Sequence, residues 1–235
     1  MASAPASLAP QRHPSPNLGV LAVVSTVLFC AGLYPVSPFG GGPSFPTPFA
    51  SPQIMVSFFQ LRAHALLLCA FLQFGSAIPL GIFTAAIVSR LRFLGVRAAG
   101  AYIALFGGFA ATFALMVCSM VLWAMAHPGI VQETALTQAL YFFSFGLAGP
   151  GYAVSLGLLM AGVSVPALFG RLVPRWIAIV GLALAVIGAL SWFSLVFPHT
   201  MFLIPLTRFL GFLWMIAVGF AMPTTAAALQ RKPSV

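Results

Sequence analysis

Charge in this sequence is confined almost entirely to the connections between long apolar stretches, and this separation constrains the fold more than any other feature. Only 5% of the residues are charged, whereas soluble domains carry about 25%. A soluble fold could not cover its surface with so few charges, so most of the surface must face lipid. Six stretches reach the length of about 17–25 apolar residues that a membrane-spanning helix needs. They are 18–34, part of 54–91, 98–126, 135–165, 176–197 and 201–222.

The six stretches predict an all-α polytopic membrane protein, a bundle of six transmembrane helices within residues 18–222. Residues 1–17 are rich in Pro, Ser and Ala and are predicted to form a disordered cytoplasmic tail. Residues 223–235 are predicted to be a cytoplasmic C-terminal tail. The first stretch follows Arg12 as in a signal peptide, but no small-residue cleavage site follows it, so we expect a retained span.

The positively charged residues predict the orientation of the bundle. Because connections rich in Lys and Arg stay in the cytoplasm, both termini are predicted to be cytoplasmic. Connections 35–53, 127–134 and 198–200, on the opposite side, contain no Lys or Arg. The basic residues that fall on the cytoplasmic side are Arg12, Arg90, Arg92, Arg97, Arg171, Arg175, Arg231 and Lys232.

The overall composition predicts the location and excludes one class of partner. Arg far outnumbers Lys, and Ala, Gly and Pro are abundant, which is typical of a GC-rich bacterial genome. We therefore expect a multi-pass protein of the bacterial inner membrane, with the lipid bilayer as its main partner. The net charge of +9 forms no basic stripe on a soluble domain, so no nucleic-acid partner is expected.

An arginine interrupts the last apolar stretch, in the segment LIPLTRFLGFLW at 203–214. Arg208 lies about seven residues, or roughly 10 Å, inside the predicted outer boundary. A charged side chain at such a depth is costly and is usually paired or functional. Four more polar residues are predicted on the same half of the bundle: Arg62 and His64 at the outer end of the second span, Gln73 further along that span, and Glu133 before the fourth.

These residues predict a candidate cluster of Arg62, His64, Gln73, Glu133 and Arg208. Since Glu133 is the only acidic residue of the chain, it is the preferred ion-pair partner of Arg208 or Arg62. Three interpretations are open: separate solvation of each group at the lipid headgroups, a structural ion pair, and a ligand-binding site.

Two kinked spans carry polar stripes that could line a cavity. Cys69, Gln73 and Ser76 follow the helical face of Arg62 in a span that contains Pro79. Gln138, Tyr141, Tyr152 and Ser155 flank the sequence Gly149–Pro150–Gly151 in the fourth span. Prolines free backbone carbonyls that need other partners, so these spans either line a cavity open to the outer side or satisfy each other. The uncharged, Pro- and Phe-rich loop 35–53 is either an interfacial anchor or a lid over that cavity.

Several chemistries are disfavoured by the sequence. No span contains a carboxylate, and there is no H-E-x-x-H or G-x-S-x-G motif. The cysteines have no metal-ligand spacing, so we predict no catalytic residue, metal or cofactor. The leading hypothesis is a non-enzymatic protein that binds or passes a small or lipidic ligand from the outer face. The alternatives are a membrane-embedded enzyme or electron-transfer subunit that uses the outer-face His and Arg residues, and an accessory subunit of a membrane complex.

Small residues recur every four positions in three spans, which lets helix backbones approach closely in lipid. This pattern favours packing within one bundle, and a homo-oligomer interface is the alternative. The residues are Gly100, Ala104 and Gly108; Gly149, Ala153, Gly157 and Ala161; and Gly181, Ala185 and Ala189.

The segment LFGRLVPRWIAIVGLALAVIGALSW at 168–192 resembles the junction before the penultimate span in bacterial six-span proteins of the "domain of unknown function" type. The likeness extends over spans two to six, and the loop 35–53 has no counterpart in it. The resemblance implies an integral membrane protein without an assigned activity, so no functional residue is carried over from it.

A reporter fused after Val235 tests the predicted topology. We expect a reporter that works only in the cytoplasm to be active at this position, because the basic connections hold that side inside the cell. A periplasmic reporter that is active at the same position would contradict the topology.

Overall fold

The computed structural model describes residues 12–41 and 43–225, and this part of the chain is helical throughout its regular structure. The first helix begins after Asn17, whose side-chain oxygen accepts a hydrogen bond of 3.2 Å from the Val20 amide and so caps the helix. The helices are α1 Leu18–Leu33, α2 Pro52–Leu61, α3 Ala63–Phe93, α4 Gly100–Met125, α5 Thr134–Gly146, α6 Tyr152–Phe169, α7 Arg175–Leu190 and α8 Leu203–Ala221.

Within the described residues, six helical segments are long and apolar enough to cross a membrane, which confirms the predicted all-α bundle of six spans. Short 3₁₀ segments extend α1, α7 and α8 at one end each, and a π-helical segment, Leu147–Gly151, joins α5 to α6. The spans are Leu18–Val36, Ala63–Phe93, Gly100–Met125, Thr134–Phe169, Arg175–Leu195 and Pro198–Ala221.

The long second apolar stretch divides at Arg62. The backbone of Arg62 has φ −117° and ψ 23°, outside the helical range, so α2 ends there and the spanning helix α3 begins at Ala63. α2 buries Met55, Phe58 and Phe59 in an apolar cluster with parts of α3, α4 and α5. The part of the 54–91 stretch that precedes the span is therefore a separate helix.

Both ends of the described chain meet at one end of the bundle, which we call the terminal end. The His13 amide donates to the Thr224 carbonyl at 2.8 Å, and Arg90 of α3 donates to the Pro16 carbonyl at 3.2 Å. The opposite end, which we call the loop end, carries the α1–α2, α4–α5 and α7–α8 connections. Which end faces the cytoplasm stays a prediction.

The predicted tails are only partly covered by the structure. Residues 12–17, predicted to belong to a disordered tail, lie against the ends of α3 and α8. Residues 1–11 and 226–235 lie outside the described residues, and so do Arg231 and Lys232.

Glycines bring helices of the same chain into backbone contact. Gly162 of α6 lies so close to Gly100 and Ala104 of α4 that a Cβ there would clash with both backbones. A Cβ on Gly157 would lie 3.0 Å from the Ala185 carbonyl oxygen of α7. These small residues pack the bundle internally, in agreement with the first interpretation of their spacing.

Gly162→Ala should destabilise the bundle, because the added methyl group must push α4 and α6 apart. Overpacking of this kind costs about 1–3 kcal/mol. We expect a lower Tm in thermal unfolding of the purified protein in detergent. The matched control is Gly75→Ala in α3, where the added Cβ would come no closer than 4.0 Å to another residue. Equal Tm values for the two variants would contradict the described α4–α6 contact.

Candidate functional site

A break in the fourth span leaves the Ala148 carbonyl without its usual α-helical donor. Gly149 has φ −81° and ψ −106°, outside the helical range, and Pro150 lacks the amide hydrogen that would bond to the Gly146 carbonyl. In an α-helix the Tyr152 amide would bond to the Ala148 carbonyl, but here it bonds to the carbonyls of Leu147 and Gly149. The Ala148 oxygen therefore needs a donor from elsewhere, because an unsatisfied carbonyl inside a membrane is costly.

Arg208 of α8 supplies that donor. Its Nη2 donates a hydrogen bond to the Ala148 carbonyl oxygen. The guanidinium carbon lies 5.2 Å from the centroid of the Phe29 ring and 5.1 Å from that of the Tyr152 ring. Both distances are within the range of a cation–π interaction. The arginine is thus held between α1, α6 and the π-helical break, inside the bundle.

A cavity of about 420 Å³ lies beside Arg208 at the loop end. Its walls come from the end of α1, the α1–α2 connection, α3, α4, α5, the π-helical break and α8. The residues that line it are Leu33, Val36, Ser37, Pro38, Ser44, Phe45, Cys69, Gln73, Cys118, Leu122, Tyr141, Ser144, Phe145, Ala148, Gly149, Ile204 and Arg208.

The α1–α2 connection forms the loop-end wall of this cavity and is tied to the bundle. The Tyr141 hydroxyl donates to the Pro46 carbonyl. The Phe45 ring packs against Phe58, Phe59 and Tyr141, with centroids 5.2, 6.0 and 5.7 Å away. These contacts make the Phe-rich loop one wall of the cavity, and its role as a lid stays a prediction.

Polar groups are few on the cavity wall. Gln73 of α3 is 5% exposed, and its side-chain amide forms no hydrogen bond with the described residues. Ser144 donates to the Tyr141 carbonyl at 3.0 Å. Cys69 and Cys118 are both free and buried. Arg208 is the only charged residue among those that line the cavity.

The expected ion pair between Glu133 and an arginine is not formed among the described residues. Glu133 immediately precedes α5 and is exposed, about 22 Å of helix away from Ala148. Because Arg208 donates to Ala148, its guanidinium group lies near the far end of α5 from Glu133. The sequence predicted Glu133 and Arg208 in the same half of the bundle, but in the structure they lie apart within that half.

The other predicted site residues also lie outside the cavity wall. Arg62, at the junction of α2 and α3, is half-buried, and its Nη2 is buried without an acceptor among the described residues. His64 is exposed in the first turn of α3. Of the predicted cluster, only Gln73 and Arg208 are brought together in the cavity.

Sequence reasoning missed several residues of the site. Cys118, Ser144 and Ile204 line the cavity but have no distinguishing neighbours in the sequence, and the Phe29 ring contacts Arg208 from an ordinary apolar span. The Gly149–Pro150–Gly151 break was the one local signal for the freed carbonyl. In the described part of the chain, no group of three or more His, Cys, Asp or Glu side chains is arranged to hold a metal ion.

Comparison of the chain with protein-family models, with curated proteins and with solved structures finds no match. The resemblance to bacterial six-span proteins stays a prediction from the 168–192 segment.

Arg208→Lys should lower the stability of the bundle, although the positive charge is kept. An ammonium group lacks the flat guanidinium surface that packs on the Phe29 and Tyr152 rings. The loss of these contacts is worth about 0.5–2 kcal/mol, and each kcal/mol shifts the Tm by about 2–4 °C for a chain of this size. The matched control is Arg62→Lys, because Arg62 contacts no aromatic ring among the described residues. A Tm change no larger than that of Arg62→Lys would contradict the described packing of Arg208.

Proposed function

We propose that this protein binds a small or lipidic molecule in the loop-end cavity, and that the molecule enters from the outer face of the membrane. The observation that supports this function is the cavity itself. Its volume of about 420 Å³ falls in the range of about 300–1,000 Å³ that small-molecule sites occupy. Its wall is mostly apolar with a few polar groups, which is also typical of such sites.

The architecture around the cavity supports entry at the loop end. The wall there is a connection rather than a spanning helix, and it includes Ser37, Pro38, Ser44 and Phe45. Connections open more easily than packed helices because fewer backbone hydrogen bonds hold them. In the predicted topology this end faces away from the cytoplasm. The bacterial inner membrane and membership of a six-span family of unassigned activity are parts of the same proposal.

The alternative functions have less support from the geometry. An enzyme that uses the outer-face residues needs Arg62, His64, Glu133 and Arg208 to converge, and the described residues do not bring them together. An accessory subunit needs small-residue helix faces free for a partner, whereas Gly157 and Gly162 already contact helices of the same chain.

Filling the cavity tests this function. Cys118 is buried in the wall, and Cys30 of α1 is exposed on the outside of the bundle, so Cys118→Phe and Cys30→Phe are a matched pair. We expect the protein in lipid nanodiscs to bind radiolabelled octanoate or octan-1-ol saturably. Cys118→Phe should abolish that binding, because the ring occupies the cavity, and Cys30→Phe should leave it intact.

Empty nanodiscs provide the blank, since both probes also partition into the bilayer. If neither probe binds saturably to the wild-type protein, the proposed function is contradicted. Equal binding to the two variants would show that the probes bind outside the cavity.

A further inference from the structure

We infer that the ligand of the loop-end cavity is an anionic amphiphile whose negatively charged group binds Arg208 while its apolar part lies along the cavity wall. This inference rests on the proposed ligand-binding function and adds the chemical class of the ligand. It is drawn from the charge, the hydrogen-bonding groups and the apolar surface of the cavity.

The positive charge of Arg208 is not neutralised by any acidic side chain of this protein. The chain contains a single Asp or Glu residue, and that residue, Glu133, is exposed at the start of α5. A cation in a low-dielectric interior strongly favours an opposite charge nearby. Since the chain has no second carboxylate side chain to offer, a bound molecule or a lipid can supply the counter-charge.

The hydrogen-bonding groups of Arg208 are also largely unused. A guanidinium group has five N–H donors, and the described residues provide one acceptor for them, the Ala148 carbonyl oxygen. Nε is buried without an acceptor among these residues. A carboxylate or phosphate accepts two parallel hydrogen bonds from a guanidinium group and so provides both the charge and the missing acceptors.

Gln73 adds a second group that fits an anion. Its amide lies on the same cavity wall as Arg208 and forms no hydrogen bond with the described residues. The amide NH₂ can donate to an anionic oxygen. No acidic side chain lines the cavity, so a cationic ligand would meet the charge of Arg208 without any compensation.

The remainder of the wall requires an apolar portion in the ligand. Leu33, Phe45, Leu122 and Ile204 line the cavity together with the charged group. A small inorganic anion would leave this surface uncovered, whereas an apolar chain or ring would bury it, at about 25 cal/mol per Å². The site is therefore complementary to a monoanion that carries a short aliphatic or aromatic part.

The direct test compares ligands of one chain length and different charge. Radiolabelled octanoate, octan-1-ol and octylammonium are titrated against the wild-type protein in nanodiscs of zwitterionic phosphatidylcholine. We expect octanoate to bind at least about tenfold more tightly than octan-1-ol, because charge-assisted hydrogen bonds to Arg208 are added. Octylammonium should bind most weakly.

The result separates this inference from the proposed function. Saturable binding of octan-1-ol as tight as that of octanoate would overturn the anion inference and leave the ligand-binding function standing. Absence of saturable binding of all three probes would overturn both.

Variants of Arg208 identify the group responsible. Arg208→Gln should lower octanoate affinity about tenfold more than octan-1-ol affinity, because only the anion loses a charge-assisted hydrogen bond, while Arg208→Lys should keep most of the preference for octanoate. The octan-1-ol measurement shows whether each variant keeps the folded cavity. Arg62→Gln is the matched control and should change neither affinity. Unchanged octanoate affinity in Arg208→Gln would overturn the inference, and if that variant does not fold, the wild-type comparison decides alone.

A last arm distinguishes a lipid headgroup from a free amphiphile. The octanoate titration is repeated in nanodiscs that contain anionic phosphatidylglycerol. Octanoate binding that weakens there more in the wild-type protein than in Arg208→Gln would show that a bilayer lipid headgroup competes for Arg208, because repulsion by the bilayer surface acts on both proteins equally. Equal weakening in the two proteins would show that the anion is a free molecule. Both results support an anionic ligand.

Discussion

The hydrogen bond from Arg208 to the Ala148 carbonyl connects the irregular part of this bundle to the one charged residue that lines the loop-end cavity. The Gly149–Pro150–Gly151 sequence interrupts the fourth span and leaves that carbonyl without its helical donor. An arginine from α8 then becomes the donor and is held by the Phe29 and Tyr152 rings. The cost of a charge in the membrane and the cost of a free carbonyl are reduced by the same contact.

The cavity follows from this arrangement. A broken helix does not pack as closely on its neighbours as a continuous one, and the wall at the break is formed by Ala148 and Gly149, which have little or no side chain. The α1–α2 connection closes the cavity at the loop end through Phe45 and the Tyr141 hydroxyl. The neighbouring spans pack tightly elsewhere through glycine contacts, so open space is located beside Arg208, a cation without an acidic partner among the described residues. The charge of Arg208 and the apolar cavity beside it therefore both fit an anionic amphiphile.

The sequence was sufficient for the fold because hydrophobic length and charge placement are local properties. Six spans, the polar stripe through Gln73 and the unusual depth of Arg208 can all be read along one chain. The partner of Arg208 could not be predicted from the sequence. An opposite charge was expected, which led to Glu133, whereas the structure uses the backbone carbonyl of Ala148, and a carbonyl is present in every residue. The distance of Glu133 from the break also depends on the length of α5 beyond the membrane boundary, which hydrophobicity does not define. Residues such as Cys118 and Ile204 enter the site only through the three-dimensional packing of α4 and α8.

An experimental structure of the protein in nanodiscs with 8-bromooctanoate would show directly whether an anionic amphiphile binds Arg208 in the loop-end cavity. Cryo-electron microscopy with a bound antibody fragment would be suitable for a membrane protein of this size. We expect the carboxylate to lie within hydrogen-bond distance of Arg208, while the Ala148 carbonyl still accepts from the same guanidinium group. The bromine should lie against the apolar wall near Leu33 or Leu122. A guanidinium group paired with Glu133, or a cavity filled by the protein's own side chains, would contradict this expectation.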